Sequence, residues 1–266
     1  MTAIPATAVS AASELRLVAL PGIPLIRAGD DLTGLIIDAV HRCGEVLRDG
    51  DVLIVAQKIV SKAEGRTVSL ATVQPSTHAI ELAKETAKDP RFVEVVLRES
   101  SAVVRAAANV LITRHRLGHV MANAGIDRSN VPAGEAGAER ILLLPVDPDA
   151  SARALRAAIG AATGARIGVV ISDSFGRPWR VGTVNVALGV AGLPALLDQR
   201  GGQDRDGRRL ETTQVALADA VAAAAGIVMG EATESTPAVR VRGLHFDAPE
   251  SDGRALLRPV AEDLFQ

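Results

Sequence analysis

Three carboxylates stand where apolar segments of the sequence run out. Asp127 closes "HVMANAGID", Asp173 follows "IGVVIS", and Glu231 follows "GIVMG". Ser174 adds a hydroxyl next to Asp173. Acids and a hydroxyl drawn from distant segments make the oxygen-donor set that Mg²⁺ and Mn²⁺ prefer over nitrogen or sulfur ligands. Neighbours in a regular strand point to opposite faces. For Asp173 and Ser174 to share a site, the chain must bend within "DSFGR", where Gly176 allows it, or the two must serve two ions. The competing reading is that Asp173 accepts backbone hydrogen bonds in a turn.

Basic residues near these acids offer countercharge. Lys62 in "SKAEGR", on a turn with Gly65, and Arg177 and Arg180 in "FGRPWRVG" could hold a polyphosphate or a substrate carboxylate. Arginine would do so as a bidentate fork and lysine as a point charge. For any one of these residues taken alone, a solvated charge on a surface loop is the favoured reading. Arg240 and Arg242 in "AVRVRG" share one strand face, opposite Val239 and Val241, and either line a cleft or make a polar face. His115 and His119 flank a glycine turn and read as structural. The mixed-charge stretch "RGGQDRDGRRLE" is a solvated loop or a lid. The common phosphate-loop, dinucleotide-fingerprint, zinc-protease and nucleophile-elbow signatures are absent.

The elements that must position these residues follow from periodicity and punctuation. Strands are expected at "LRLVAL", "DVLIVAQ", "NVLITRH", "HVMANAG", "RILLLPV", "ARIGVVISD" and "AVRVRGL". "DDLTGLIIDAVHRCGEVLRDG" reads as an amphipathic helix capped by Asp30 and Asp31 and ended by Gly50, with Cys43 in its core pattern. "PSTHAIELAKETAK" and "RFVEVVLRESSAVVRAA" read as two helices split at Pro90, because proline disfavours the helical conformation in the residue before it. "DPDASARALRAAIGAATG" and "LETTQVALADAVAAAAGIVMG" complete the helices. Consecutive strands alternate only imperfectly with helices, so the fold class is α+β, with mixed or antiparallel sheets and flanking helices. Residues 1–13 read as a disordered tail and 14–266 as one domain, or two subdomains sharing a cleft. Boundaries or insertions are expected near 125–138 and 200–210.

Composition closes off several function classes. Of 266 residues, 48% are hydrophobic but only 2% aromatic, so ligand binding by aromatic stacking is a poor expectation. Lys and Arg total 29 against 31 Asp and Glu, a net charge of -2 that recruits neither nucleic acid nor an anionic membrane. One cysteine forms no internal disulfide, which with the lack of a signal-peptide pattern points to the cytoplasm.

The blocks "GIPLI", "GDDL", "DGDVLIVAQKIVSKAEGR", "NAGIDRSNV", "LLLPVDPDASARALR", "VVISDSFGRPWRVG", "VALGVAGL" and "AVRVRGL" fall in an order that resembles the coenzyme F420-0:L-glutamate ligases, from about Leu20 to Phe265. The resemblance implies a glutamyl-ligase-type fold in an intertwined homodimer, in the free-standing form without a C-terminal nitroreductase-like domain. It implies a GTP-dependent ligase, of the acid-amino-acid class, that adds L-glutamate to a deazaflavin through a γ-linked amide and an acyl phosphate. By the same resemblance Asp127 and Asp173 hold one Mg²⁺ or Mn²⁺, while Ser174 and Glu231 help hold a second, with K⁺ as a further ion. Asp127, Asp173 and Lys62 would be catalytic. Ile23, Pro24, Leu25, Ile26, Gln57, Lys62, Asn130, Met229, Gly230, Glu231, Ala232, Thr233, Glu234, Ser235 and Thr236 would surround GTP. Gln57 stands where relatives carry a small hydroxyl residue, Ser174 replaces a threonine, and Phe175 departs from the expected residue types. The rival readings are a metal-dependent nucleotide phosphohydrolase and a non-catalytic protein that binds a deazaflavin or nucleotide.

Overall fold

The computed structural model describes residues 14–128, 131 and 137–263. In chain order the elements are β1 (Arg16–Ala19), α1 (Leu32–Arg42), β2 (Val52–Ala56), α2 (Gln57–Ala63), β3 (Thr67–Ser69), α3 (Thr77–Thr86), α4 (Pro90–Arg98), β4 (Ser100–Ala107), β5 (Val110–His115) and β6 (Val120–Ala122). There follow β7 (Arg140–Leu142), α5 (Pro148–Thr163), β8 (Gly168–Arg177), β9 (Arg180–Ala191), β10 (Leu197–Asp198), β11 (Gln214–Val215), α6 (Leu217–Met229) and β12 (Ala238–Arg242).

The main sheet runs β1-β12-β2-β8-β9. Only β2 and β8 are parallel; the other pairs are antiparallel. The first four residues of β2, Val52 to Val55, are buried, as expected of a central strand covered on both faces. Their alternation assigns the layers. Leu53 and Val55 pack with α1 and α5 residues such as Ile36, Leu155 and Ile159. Val52 and Ile54 pack with Val221, Ala222 and Ala225 of α6. A separate apolar cluster joins α3 and α4 to the three-stranded β4-β5-β6 sheet and the β3-β7 pair, through Leu70, Phe92, Val96, Leu111 and Ile141. The fold class is α+β with mixed sheets.

Helix α5 shows how local chemistry sets a boundary. Asp147 caps it by accepting from the Ala150 amide at 2.9 Å, Pro148 opens it, and Gly164 ends it in a left-handed conformation. Asp149 then ties the layers together, accepting from the amides of Val190 in β9 (2.8 Å) and Gly253 (2.7 Å). At Gly189 the sheet meets the start of α5 so closely that a Cβ would lie 2.2 Å from the Pro148 carbonyl.

Several expectations are corrected. The helix expected over 91–107 stops at Arg98, and 100–107 is strand β4, paired with β5 across a turn in which Asn109 has φ +64°. Alanine fits either state, and the cross-strand partner decides. Lys62, expected on a turn in "SKAEGR", lies in the last turn of helix α2, which ends at Ala63. "FGRPWRVG" is the tip of the long β8-β9 hairpin rather than a loop, and Asp173 and Ser174 stay in the ladder, opposite Val186 and Asn185, between register shifts at Ile171/Ser172 and Gly176/Arg177. The helix expected from 210 begins at Leu217. "HVMANAG" is strand only at Val120–Ala122, then turns as 3-10 helix. Cys43 is half-buried and packs against the edge of the core cluster around α1. Arg240 is fully buried beside Glu45 (3.3 Å), and Arg242 grips Asp51 through two 2.7 Å bonds, so this pair serves the packing of β12 rather than a cleft. Among the described residues no helix is long and apolar enough to cross a membrane.

Candidate active site

The parallel pair β2 and β8 ends with Ala56 opposite Ser172. Ligands in open sheets of this kind gather beyond the carboxyl ends of parallel strands. Here the chain leaving β2 enters α2 at Gln57, Lys58 and Lys62, while β8 continues with Asp173 and Ser174. Asp127 arrives from a third direction, held by reciprocal 2.9 Å backbone bonds with Leu142. Gly125, with φ +66°, makes the preceding bend, and a Cβ there would lie 2.6 Å from Met121 Cε.

Lys58 places its ammonium 3.1 Å from the Asp127 carboxylate. The buried Gln57 donates through Nε2 to the same oxygen at 3.4 Å, while its own Oε1 accepts from Ser61 Oγ at 2.9 Å. Burial, then the neighbouring Asp127 charge, pushes the Asp173 carboxyl up to about 7; the Ser174 amide, Lys58 and Gln57 oppose the shift. Burial and the Lys58 charge hold the Lys62 ammonium below its ordinary value, with Asp127 opposing. The site thus holds two crowded carboxylates beside two crowded ammonium groups. Such an arrangement favours ligands that bring charge of both signs.

Two cavities meet here. One, of about 510 Å³, is lined by Ile23 to Ile26, Gln57, Lys58, Lys62, Asp173, Ser174 and Met229 to Thr236. The other, of about 670 Å³, is lined by Lys58, Asp127, Asp173, Ser174, Phe175, Arg177 and Arg180, with apolar side chains from β5 and β6. Lys58, Asp173 and Ser174 belong to both. The loop after α6 is shaped by its own bonds: Glu234 accepts from the Ala232 amide at 2.8 Å, and Thr236 Oγ1 donates to the Met229 carbonyl at 2.7 Å. Phe175 meets His119 edge-on at 5.9 Å.

The residues singled out in the sequence therefore converge, with two qualifications. Asn130 lies outside the described residues. Glu231 lines the smaller cavity with Asp173 and Ser174, yet among the described residues no group of three or more Asp, Glu, His or Cys is arranged to hold a metal. The crowded Asp127 and Asp173 and the Ser174 hydroxyl are hard oxygen donors, a partial set that suits Mg²⁺ or Mn²⁺ with water and substrate oxygens completing the shell. Ser172 Oγ, in the wall of the smaller cavity, is buried without a hydrogen-bond partner among the described residues. Lys58 has no role in the sequence reading, which puts only Lys62 on a turn; in the structure both lysines belong to helix α2, whose Gln57, Ile59, Val60 and Ser61 are buried.

Several proteins of known family are similar to this chain along most of its length. The coenzyme F420:L-glutamate ligase of Methanothermobacter thermautotrophicus is 47% identical over 254 residues, spanning 95% of this chain and 99% of that protein. The ligase of the same name from Methanopyrus kandleri is 46% identical, spanning 95% and 98%, and that from Methanocaldococcus jannaschii 45% identical, spanning 83% and 86%. The family described as F420-0:Gamma-glutamyl ligase matches residues 22–243, a span that takes in both cavities, and this chain belongs to that family.

Proposed function

We propose that the protein joins L-glutamate to a deazaflavin F420 acceptor through a γ-linked amide, using GTP to activate the acceptor carboxylate. The observation that carries this reading is the meeting of two cavities at Lys58, Asp173 and Ser174, which lets two large substrates reach a common point. A carboxylate and an amine do not condense unaided, because hydroxide leaves poorly and the amine is mostly protonated at neutral pH. The acceptor carboxylate attacks the γ-phosphorus of GTP, giving an acyl phosphate and GDP. The glutamate amine then attacks the acyl carbon, phosphate leaves, and the surplus proton passes to solvent.

GTP fits the smaller cavity. Lys62, held low by burial and by Lys58, gains a counter-anion when phosphate arrives, and the Ser172 hydroxyl gains an acceptor. Gln57, fixed by Ser61, orients the acid pair. Asp127, Asp173, Ser174 and Glu231 are the residues that would hold divalent cations, with K⁺ as a further ion. A divalent cation bound there supplies charge neutralisation between two anionic reactants. The same reading places the enzyme in the cytoplasm as a homodimer, for which the hairpin tip with exposed Trp179 and Val181 offers apolar surface.

Incubation with a deazaflavin acceptor, GTP, Mn²⁺ and L-glutamate, read by mass spectrometry and GDP release, tests the proposal. The expected result is a glutamyl mass increment with GDP formed only when the acceptor is present. Rapid GTP hydrolysis without acceptor would favour a phosphohydrolase instead.

A further inference from the structure

The sequence reading offers Arg177 and Arg180 only as holders of a phosphate or a carboxylate, and the larger cavity that they line is chemically divided. One part is apolar, from Ile112, Val120, Met121 and Phe175. The other is cationic, from Arg177 and Arg180, which face each other across the two-residue turn of the β8-β9 hairpin. Among the described residues neither arginine forms an ion pair, and both are exposed at the mouth of the cavity that they line. Two adjacent guanidinium groups left unpaired beside a concave apolar wall are suited to an anion attached to a flat apolar body. At about 670 Å³ the cavity takes a ligand of several hundred daltons. Its inner end is the Lys58, Asp173 and Ser174 border shared with the other cavity.

Resting on the ligase reading above, we infer that this cavity is the acceptor chamber. Arg177 and Arg180 clasp an anionic phosphate or carboxylate on the acceptor's side arm, the wall of Ile112, Val120, Met121 and Phe175 carries its ring, and its reacting carboxylate lies at the Asp173 border. The arginines are binding residues that set acceptor affinity; nucleotide affinity does not depend on them.

The test is the full-length Arg177→Gln/Arg180→Gln double variant, with Val120→Trp as a second variant that fills the chamber without touching charge. The double variant should raise the acceptor KM at least about tenfold, as expected for two lost charge-assisted bonds. The Kd for a fluorescent GTP analogue should stay within about twofold in both variants, and Val120→Trp should also lose acceptor affinity. An unchanged acceptor KM in the double variant, or weakened GTP binding in its place, overturns the inference. Should the wild type ligate no deazaflavin at all, the ligase reading fails separately, and FMN, a flat ring bearing a phosphate, serves as the probe. FMN binding that is lost in the double variant would sustain the chamber; absent or arginine-independent binding would overturn it.

Discussion

Replacing Asp173 by Asn should make the protein more stable and inactive at once. Its carboxyl is pushed up to about 7 from an ordinary value of 3.8, chiefly by burial and then by Asp127. Below pH 3.8 both folded and unfolded chains carry the proton and the residue contributes nothing. Between 3.8 and about 7 the unfolded chain has lost the proton while the folded chain keeps it, so stability falls as pH rises. Above 7 the full cost remains, at most about 4 kcal/mol at about 1.4 kcal/mol per pH unit. Asparagine mimics the protonated acid and removes that cost. Thermal melts of variant and wild type should therefore differ by less than ~2 °C near pH 4 and by up to ~8 °C above pH 8, at about 2 °C per kcal/mol for a chain of this size. Mn²⁺ should raise the melting temperature of the wild type at pH 8 and leave the variant unmoved, since a cation offsets the same crowding. A variant no more stable than the wild type at pH 8 would refute the claim that the fold holds this carboxylate at a cost, and a variant that still ligates glutamate would remove Asp173 from the chemistry.

Lys58→Met removes the ammonium 3.1 Å from Asp127 and should lower kcat at least about tenfold with little change in melting temperature; undiminished turnover would exclude Lys58. Asp149→Ala strands the buried amide of Val190 and that of Gly253, and urea unfolding should show a loss of about 2–3 kcal/mol. His119 is driven down to about 4 by burial, with the His115 charge second, so it stays neutral when folded. Its contribution is intact above pH 6.5 and is lost as pH falls from 6.5 towards 4, by about 3 kcal/mol; His119→Gln should flatten that part of the stability profile, and an unchanged acid slope would contradict it.

Much of the site was legible because loops that leave apolar segments must end in polar residues somewhere. Asp127, Asp173 and Glu231 stood out at such ends, and the ordered blocks around them carried the family resemblance. Lys58 was not legible, since a seven-residue helix gives too few periods to separate it from a turn. The same shortage misassigned 100–107, where only the β5 ladder makes an alanine-rich stretch extended.

The sequence by itself determined the α+β class, the strongly patterned elements β2, α5 and β8, and which acids are candidates for the site, because these follow from periodicity, capping residues and composition within a few neighbours. Tertiary structure alone decided that Lys58 and Gln57 meet Asp127, that Arg240 is buried while Arg177 and Arg180 face a cavity, and that Asp173 is pushed up to about 7. Those outcomes depend on what approaches from distant segments, and on the desolvation and charge crowding that such approach creates, neither of which is encoded in local spacing.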